Sequence, residues 1–470
     1  MIPLPDFANK RVAVMGLGLA GLSTARALTR SGADVLAWDD NPVGRKQAQD
    51  AGITIADLSV LEWTADLPLI LTPGIPHKLP VAHPVAAAAR AAHADIWCDV
   101  ELLARSIRAA TYVSITGTNG KSTTTALIGH VLASAGWKVQ VGGNLGPPVL
   151  DLKALEADGV YVLELSSYQL ERIFSLRSSV AILLNVTDDH LDRHGGLGGY
   201  VDAKRRLFEL TTPDAILIIG IDEPLAEELA TDAEDAGRTV IRISGEVPVD
   251  GGVGIRHGLL RDDTGESKDD AIDLGGATAL RGSHNHQNAA AAWAACRILG
   301  VDPAAITDGL VSFPGLPHRQ ELVAHAIRHG KAVAFINDSK ATNAASAGRA
   351  LSSYDNIFWI AGGRGKDDGY DALAPGLDNL KAAFLIGEDA STIAAYLNRT
   401  VPALPVTCAE TLDMAIEMAA VAALAPEAPA ESVILLSPAC ASFDQFKNFG
   451  ARGDVFRAMS QATLAVAEGA

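Results

Sequence analysis

A chain of 470 residues is longer than one hydrophobic core sustains, so two to four domains are expected, with three as the first choice. Its 48% hydrophobic and 20% charged residues exclude a disordered or fibrous chain, and a net charge of -18 argues against a nucleic-acid partner, which would need a basic face. Met1 to Lys10 lacks the basic start and apolar core of a secretory signal, and no apolar run approaches the roughly 20 residues of a membrane span. The four cysteines (Cys98, Cys296, Cys408 and Cys440) form no Cys-x-x-Cys pair, so a cytoplasmic protein without disulfides, zinc or a membrane span is expected.

Along the chain, short β-branched runs alternate with longer segments of helical period. The first block has Arg11 to Met15, Ala20 to Ser31 and Asp34 to Trp38. This is the βαβ rhythm of a parallel sheet covered by helices, and it restarts twice. The second start is Tyr112 to Ile115, Lys121 to Ala135 and Val139 to Val141, followed by strands at Val160 to Leu165, Ala181 to Asn185 and Ala215 to Ile219. Between Gly245 and Gly282 the polar, glycine-rich sequence predicts hairpins at the edge of this middle domain. The third is Val333 to Ile336, helical Ala344 to Ala350, then Ile357 to Ala361, Ala382 to Ile386 and Val433 to Leu436. Glu101 to Ala110 reads as a helix and linker, and Ser312 to Pro317 as a second linker. The expectation is an α/β protein of three domains in series, residues 1–103, 104–313 and 314–470: Rossmann-like, a P-loop-type ATPase domain with a mixed sheet, and Rossmann-like again.

In the first block Gly16, Gly18 and Gly21 form Gly-x-Gly-x-x-Gly between strand and helix, with Asp39 after the next strand. The glycines let the backbone approach a diphosphate at a helix N-terminus, and an acid there can bind a ribose or base. Alone, this pattern reads as a dinucleotide dehydrogenase or as a tight turn with no ligand. The second block carries its own loop, Ile115-Thr-Gly-Thr-Asn-Gly-Lys-Ser-Thr123. There the backbone N–H groups of Gly117 to Thr123 can ring phosphates, Lys121 can reach the terminal phosphoryl group, and Ser122 or Thr123 can hold Mg²⁺. The Walker pattern has a glycine where Ile115 stands, a departure that narrows the family. Glu164 ends a strand at the carboxyl edge of the same sheet, where a Mg²⁺ ligand belongs. His190, in Asn185 to Arg193, follows the next strand at the same edge, among acids that also read as a capping cluster.

Together these residues resemble the Mur ligase family, most closely its branch that adds D-glutamate to UDP-N-acetylmuramoyl-L-alanine. The resemblance covers nearly the whole chain. It rests on Thr116-Gly-Thr-Asn-Gly-Lys-Ser122, Gly142-Gly-Asn-Leu-Gly146, Glu164-Leu-Ser-Ser-Tyr-Gln-Leu170 and Asn185 to Arg193. It also rests on Pro314-Gly-Leu-Pro-His-Arg319, Asn337-Asp-Ser-Lys-Ala-Thr-Asn343 and Leu436 to Phe449. It implies an ATP-dependent, Mg²⁺-requiring ligase of cell-wall precursor synthesis, working through an acyl phosphate as a cytoplasmic monomer.

By position, the resemblance implies that Gly16, Gly18, Leu19, Ala20 and Gly21 hold the UDP-sugar diphosphate. Asp39 and the Thr72-Pro-Gly74-Ile75 turn would lie near uridine, and Asn144, Gln169 and His190 near the muramoyl group. Gly117, Thr118, Asn119, Gly120, Lys121, Ser122 and Thr123 would bind ATP, with Asn288 at adenine and Arg319 and Asp338 closing over the nucleotide, Asp338 towards the ribose. Ser122, Glu164, His190 and Lys204 would surround Mg²⁺. Lys204 would do so as a carbamate formed with CO₂, which needs a neutral amine; the bland reading of Lys204-Arg-Arg206 is a solvated basic face. The catalytic set would be Lys121, His190 and Lys204. Lys340, Thr342, Lys366, Ser442, Phe443 and Phe449 would hold glutamate, for whose two carboxylates cations and hydroxyls are suited. Arg364 stands where relatives commonly carry an acid, and Arg452 is a further nearby cation. Because an acyl phosphate hydrolyses in water, closure of the third domain over the second is also expected. A sister ligase, such as a folylpolyglutamate synthase, would share the ATP loop but not the Ser437 to Phe449 segment, and a non-catalytic nucleotide-binding regulator would bind without releasing phosphate.

Overall fold

Three separate runs of apolar strands produce three sheets. In the computed structural model, residues 1–265, 271–328, 330–365 and 369–466 are described. The first sheet, in the order β2-β1-β3-β4, is parallel throughout: β1 (Arg11–Met15), β2 (Asp34–Trp38), β3 (Leu69–Leu71) and β4 (Ile96–Trp97). Alternation along β1 sends Val12 and Val14 to one core and Ala13 and Met15 to another, so helices cover both faces.

The second sheet contains β5 (Thr111–Thr116), β6 (Lys138–Gly143), β7 (Gly159–Glu164), β8 (Ser178–Leu183), β9 (Thr211–Gly220), β10 (Thr239–Ile243), β11 (Val253–Arg256), β12 (Leu259–Asp262) and β13 (Ala271–Asp273). Their order is β13-β12-β11-β10-β9-β8-β5-β7-β6. Pairing is parallel from β6 to β11 and antiparallel from β11 to β13, so the expected edge hairpins are present and the sheet is mixed. Because β5 lies between β7 and β8, the loops leaving these three strands meet at one carboxyl edge. That is where an open α/β sheet binds ligands.

The third sheet runs β14-β15-β19-β16-β17-β18: β14 (Glu321–Arg328), β15 (Lys331–Asn337), β16 (Ile357–Gly362), β17 (Leu380–Ile386), β18 (Val406–Glu410) and β19 (Glu431–Leu436). Only β14 is antiparallel, and it was not among the expected strands. Its residues bury weakly, so its pairing with β15 rather than an apolar run defines it.

The chain packs as two compact units, Met1–Ala277 with Ser283–Phe313, and Thr278–Gly282 with Pro314–Ala470. The first holds the first two sheets. Between them, the helix Asp99–Ser106 carries Glu101 into the interior, where its carboxylate accepts from Phe174 N, Ser175 N, Ser175 Oγ and Arg105 Nε at 2.6–2.8 Å. A buried acid is tolerated because its lone pairs are filled this way. Among the described residues no helix is long and apolar enough to cross a membrane.

Candidate functional site

The loop between β5 and the helix Lys121–Ser134 is shaped by glycine. Gly120, the helix N-cap, has φ 81°, and a Cβ there would lie 2.4 Å from Asn288 Oδ1. The loop is held from behind: Asn119 N donates to Asn185 Oδ1 (2.8 Å) and Thr118 N to Asn185 O (3.0 Å), while Thr118 Oγ1 lies 3.2 Å from the Tyr200 hydroxyl. No acid occupies the first turn of the helix, so its positive end faces the loop unopposed. Lys121 Nζ arches back to the carbonyls of Gly117 and Thr118, both at 2.8 Å.

Lys204 joins the same loop from the helix Leu197–Glu209. It is 1% exposed, its Nζ donates to Gly117 O at 2.7 Å and lies 4.4 Å from the Tyr200 ring centre. This is not a solvated basic face. Burial, followed by the charge of Lys121, holds its pKa well below the ordinary lysine value. Glu164, 1% exposed at the end of β7, accepts from Asn144 Nδ2 through Oε1 (2.7 Å), while its buried Oε2 has no partner. His190 takes a left-handed conformation (φ 52°) at the start of the helix Leu191–His194, with Nε2 3.5 Å from Asp189 Oδ2. Burial, then Lys121, His194 and Lys204, lower its pKa against the opposing pull of Asp189, favouring the neutral ring.

The donor set suits Mg²⁺, which characteristically takes one or two carboxylates and leaves its remaining positions to phosphate and water. Glu164 Oε2 is the orphaned oxygen such a cation would satisfy. Among the described residues no group of three or more His, Cys, Asp or Glu side chains converges as a self-sufficient metal site, so phosphate oxygens would have to complete the shell.

Two expected contacts look different in the structure. Gln169 is 2% exposed; its Oε1 accepts from Ser166 N (3.0 Å) in a capping box, and its side chain also hydrogen-bonds Asp99. In this conformation it braces the helix Ser167–Leu170. Asn288 accepts from Thr124 Oγ1 and donates to Asn285 Oδ1, each at 3.0 Å, behind the phosphate loop.

In the first sheet, a Cβ on Gly16 (φ 90°) would lie 2.1 Å from Thr72 Oγ1, so this loop and the turn after β3 close together only without a side chain. Gly18 is the N-cap of the helix Leu19–Arg30, where Leu19 is 85% exposed and Ala20 half-buried. Asp39 accepts from Leu17 N (2.5 Å) and Asn41 N (2.7 Å), which fixes the loop; Gly74 is exposed at the apex of the Thr72–Ile75 turn.

In the second unit, Arg319 lies between His318 (φ 63°) and Gln320 (φ 46°), two non-glycine residues in left-handed backbone, a strain typical of functional loops. Asp338 Oδ2 accepts from Ser437 Oγ (2.8 Å) and Oδ1 from Gln320 N (3.3 Å), and burial pushes its pKa up to about 7. Lys340 Nζ sits 4.1 Å from the Phe449 ring centre. Ser442 is buried, Thr342 half-buried and Phe443 65% exposed; Lys366 and its neighbours Asp367 and Asp368 lie outside the described residues. Arg364 pairs with Glu388 at 3.0 and 3.1 Å on the surface. Arg452 is no free cation for a substrate: its guanidinium is 1% exposed and donates to Ser339 Oγ and O, Gly362 O and Cys440 O at 2.9–3.4 Å.

Comparison with known proteins decides the family. Residues 115–296 match the Mur ligase middle domain. The chain is 48% identical, over 98% of both sequences, to the UDP-N-acetylmuramoylalanine–D-glutamate ligase of Paramagnetospirillum magneticum. It is 46% identical, over 97% of both, to the ligase of the same name from Caulobacter vibrioides. The chain belongs to the Mur ligase family. The fold of a solved member, the UDP-N-acetylmuramate-alanine ligase MurC from Thermotoga maritima, is shared over 97% of this chain and 99% of that one, with a TM-score of 0.58 at 17% identity.

For a Mur ligase, the motifs Gly117–Thr123, Glu164, His190 and Lys204 form one group around the carboxyl edge of the second sheet. Sequence reasoning passed over Asn185 and Tyr200 as supports of the loop, although both lie in or near segments it had singled out. It also missed Glu101 and Arg172, which carry no local signal because their partners are distant in sequence.

Proposed function

We infer that this Mur ligase joins D-glutamate to UDP-N-acetylmuramoyl-L-alanine at the expense of ATP, as a cytoplasmic step in peptidoglycan precursor synthesis. The observation that carries the reading is end-to-end correspondence with ligases of that name, at nearly half identity. We assign the UDP-sugar to residues 1–103, ATP to 104–313 and the amino acid to 314–470.

The chemistry follows from the residues. The alanine carboxylate oxygen attacks the γ-phosphorus, ADP leaves, and an acyl phosphate forms. Lys121, exchanging the Gly117 and Thr118 carbonyls for phosphate oxygens, offsets the charge that develops. Ser122, Glu164 and His190 would hold Mg²⁺, which supplies charge neutralisation at the phosphates. Lys204 would assist as a carbamate: its neutral amine attacks CO₂, a C–N bond forms and a proton is released, and the remaining N–H can still donate to Gly117 O. The glutamate amine then adds to the acyl carbonyl and phosphate departs. Lys340, Thr342, Lys366 and Ser442 are assigned to its carboxylates, with Phe443 and Phe449 beside it.

The test is phosphate release with ATP, Mg²⁺ and UDP-N-acetylmuramoyl-L-alanine, adding D-glutamate, L-glutamate or other amino acids separately. Release only with D-glutamate is expected. Release with a different amino acid would make the chain a sister ligase, and none with any would remove the reading.

A further inference from the structure

A guanidinium deep inside a protein is costly unless its donors are collected by acceptors. Arg172, just past the helix Ser167–Leu170, is 1% exposed and meets that condition across two sheets. Its Nε donates to Tyr168 O (3.1 Å), one terminal nitrogen to Leu71 O (2.9 Å) and Thr72 O (3.1 Å), and the other to Pro73 O (3.0 Å). Three successive carbonyls leaving β3 are thus gripped by one planar fork, which a point charge cannot reproduce. Burial lowers its pKa, and the neighbouring Glu171 and Asp99 oppose that shift.

What it grips is the turn that closes on the glycine loop. Thr72 Oγ1 donates to Met15 O (3.4 Å), and the space for a Cβ on Gly16 or Gly21 is filled in part by Thr72. Glu171, the preceding residue, lies 3.6 Å from His77 in the same segment, and Arg193 makes longer contacts to Pro73 O and Gly74 O at 3.4 and 3.5 Å.

We propose that Arg172 is a positioning residue for the UDP-sugar: it sets the Thr72–Ile75 turn against the Gly16–Gly21 loop from the sheet that carries the ATP loop. The claim rests on the UDP-sugar reading above. Misplacing a binding turn by about 1 Å costs on the order of 100-fold in the extreme. With one side of the turn still fixed by the glycine loop, the expected effect is smaller.

The experiment uses the full chain with Arg172→Lys and Arg172→Met, each checked by circular dichroism melting, measuring KM for all three substrates and Kd for UDP alone by calorimetry. Arg172→Met should raise the KM for the UDP-sugar and the Kd for UDP about tenfold, leaving the KM values for ATP and glutamate within about twofold. Arg172→Lys, reaching fewer carbonyls, should fall between this variant and wild type. If both bind UDP like wild type and lose only kcat in step with the folded fraction, Arg172 is merely structural and the proposal is overturned. If Arg172→Met does not fold, Arg172→Lys decides by the same criterion. Wild-type protein that binds no UDP would fault the functional reading and the proposal with it, whereas tight UDP binding by both wild type and Arg172→Lys would fault the proposal alone.

Discussion

A carboxyl group surrounded by protein gives up its proton late, and Asp338 does so at about 7 instead of 3.8 because burial outweighs its bonds to Ser437 and Gln320. Between those values the native state keeps a proton that the unfolded chain has released, so stability falls as pH rises through that window. The charged carboxylate opposes folding at pH 8, by up to about 4 kcal/mol before the lost hydrogen-bond quality of a replacement is considered. Asp338→Asn should therefore show a higher urea midpoint than wild type at pH 8, with the gain shrinking towards pH 5, and a raised KM for ATP. An equal difference at both pH values would show that the carboxyl group does not titrate between them. Lys204 obeys the same desolvation logic with opposite chemistry, since burial favours its neutral amine. Lys204→Ala should lose activity by roughly 100-fold or more, as expected when a group at a charged transition state is removed. Added acetate or formate should restore part of it by supplying the missing carboxylate, and ¹³CO₂ should label Lys204 in the wild type. Full activity of the variant without added acid would end the carbamate assignment.

Single elements show why parts of the site were legible in the sequence and others were not. The loop assigned to ATP was readable as a candidate because its motif lies within nine consecutive residues whose spacing the chemistry dictates, and Gly120 carries two constraints at once, φ 81° and no room for a Cβ beside Asn288. Gly120→Ala is expected to cost roughly 1–3 kcal/mol of stability and to abolish measurable ATP binding in a fluorescent-nucleotide titration. Arg452 was visible in sequence only as one more cation, because its acceptors at Ser339 and Gly362 lie about a hundred residues away. Those carbonyls precede Lys340 and Lys366, and the Cys440 carbonyl precedes Ser442, so one guanidinium ties together the segments assigned to glutamate. Arg452→Lys should raise the KM for glutamate about tenfold while leaving that for ATP near its wild-type value, since a point charge cannot satisfy all four bonds. Equal changes in both constants would mean a general loss of packing. The capping box of Ser166 and Gln169 adds what the motif alone did not show: a polar residue assigned to the substrate also caps a helix through its oxygen.

Across the whole molecule, the three blocks of βαβ rhythm match the three sheets, because strand periodicity is local. The grouping of the first two into one unit was not readable, because it depends on contacts such as those of Glu101 and Arg172 between distant segments. A chain with a net charge of -18 to which nucleotides and a dicarboxylic acid are assigned must attract such anions through local fields rather than through its overall potential. Those fields are separated along the chain: a glycine loop with a helix N-terminus after β1, a second one with Lys121 after β5, and Lys340 after β15. Hydrogen exchange with each ligand alone should resolve that division. UDP is expected to slow exchange at 16–21 and 72–75, a non-hydrolysable ATP analogue with Mg²⁺ at 118–123, and D-glutamate at 338–342 and 439–449, each by the factor 1 + [L]/Kd where exchange requires opening of the bound state. Slowing at 16–21 by the ATP analogue without UDP would assign the first glycine loop to the wrong nucleotide, and protection of 439–449 by UDP alone would show that the amino-acid segment is misassigned.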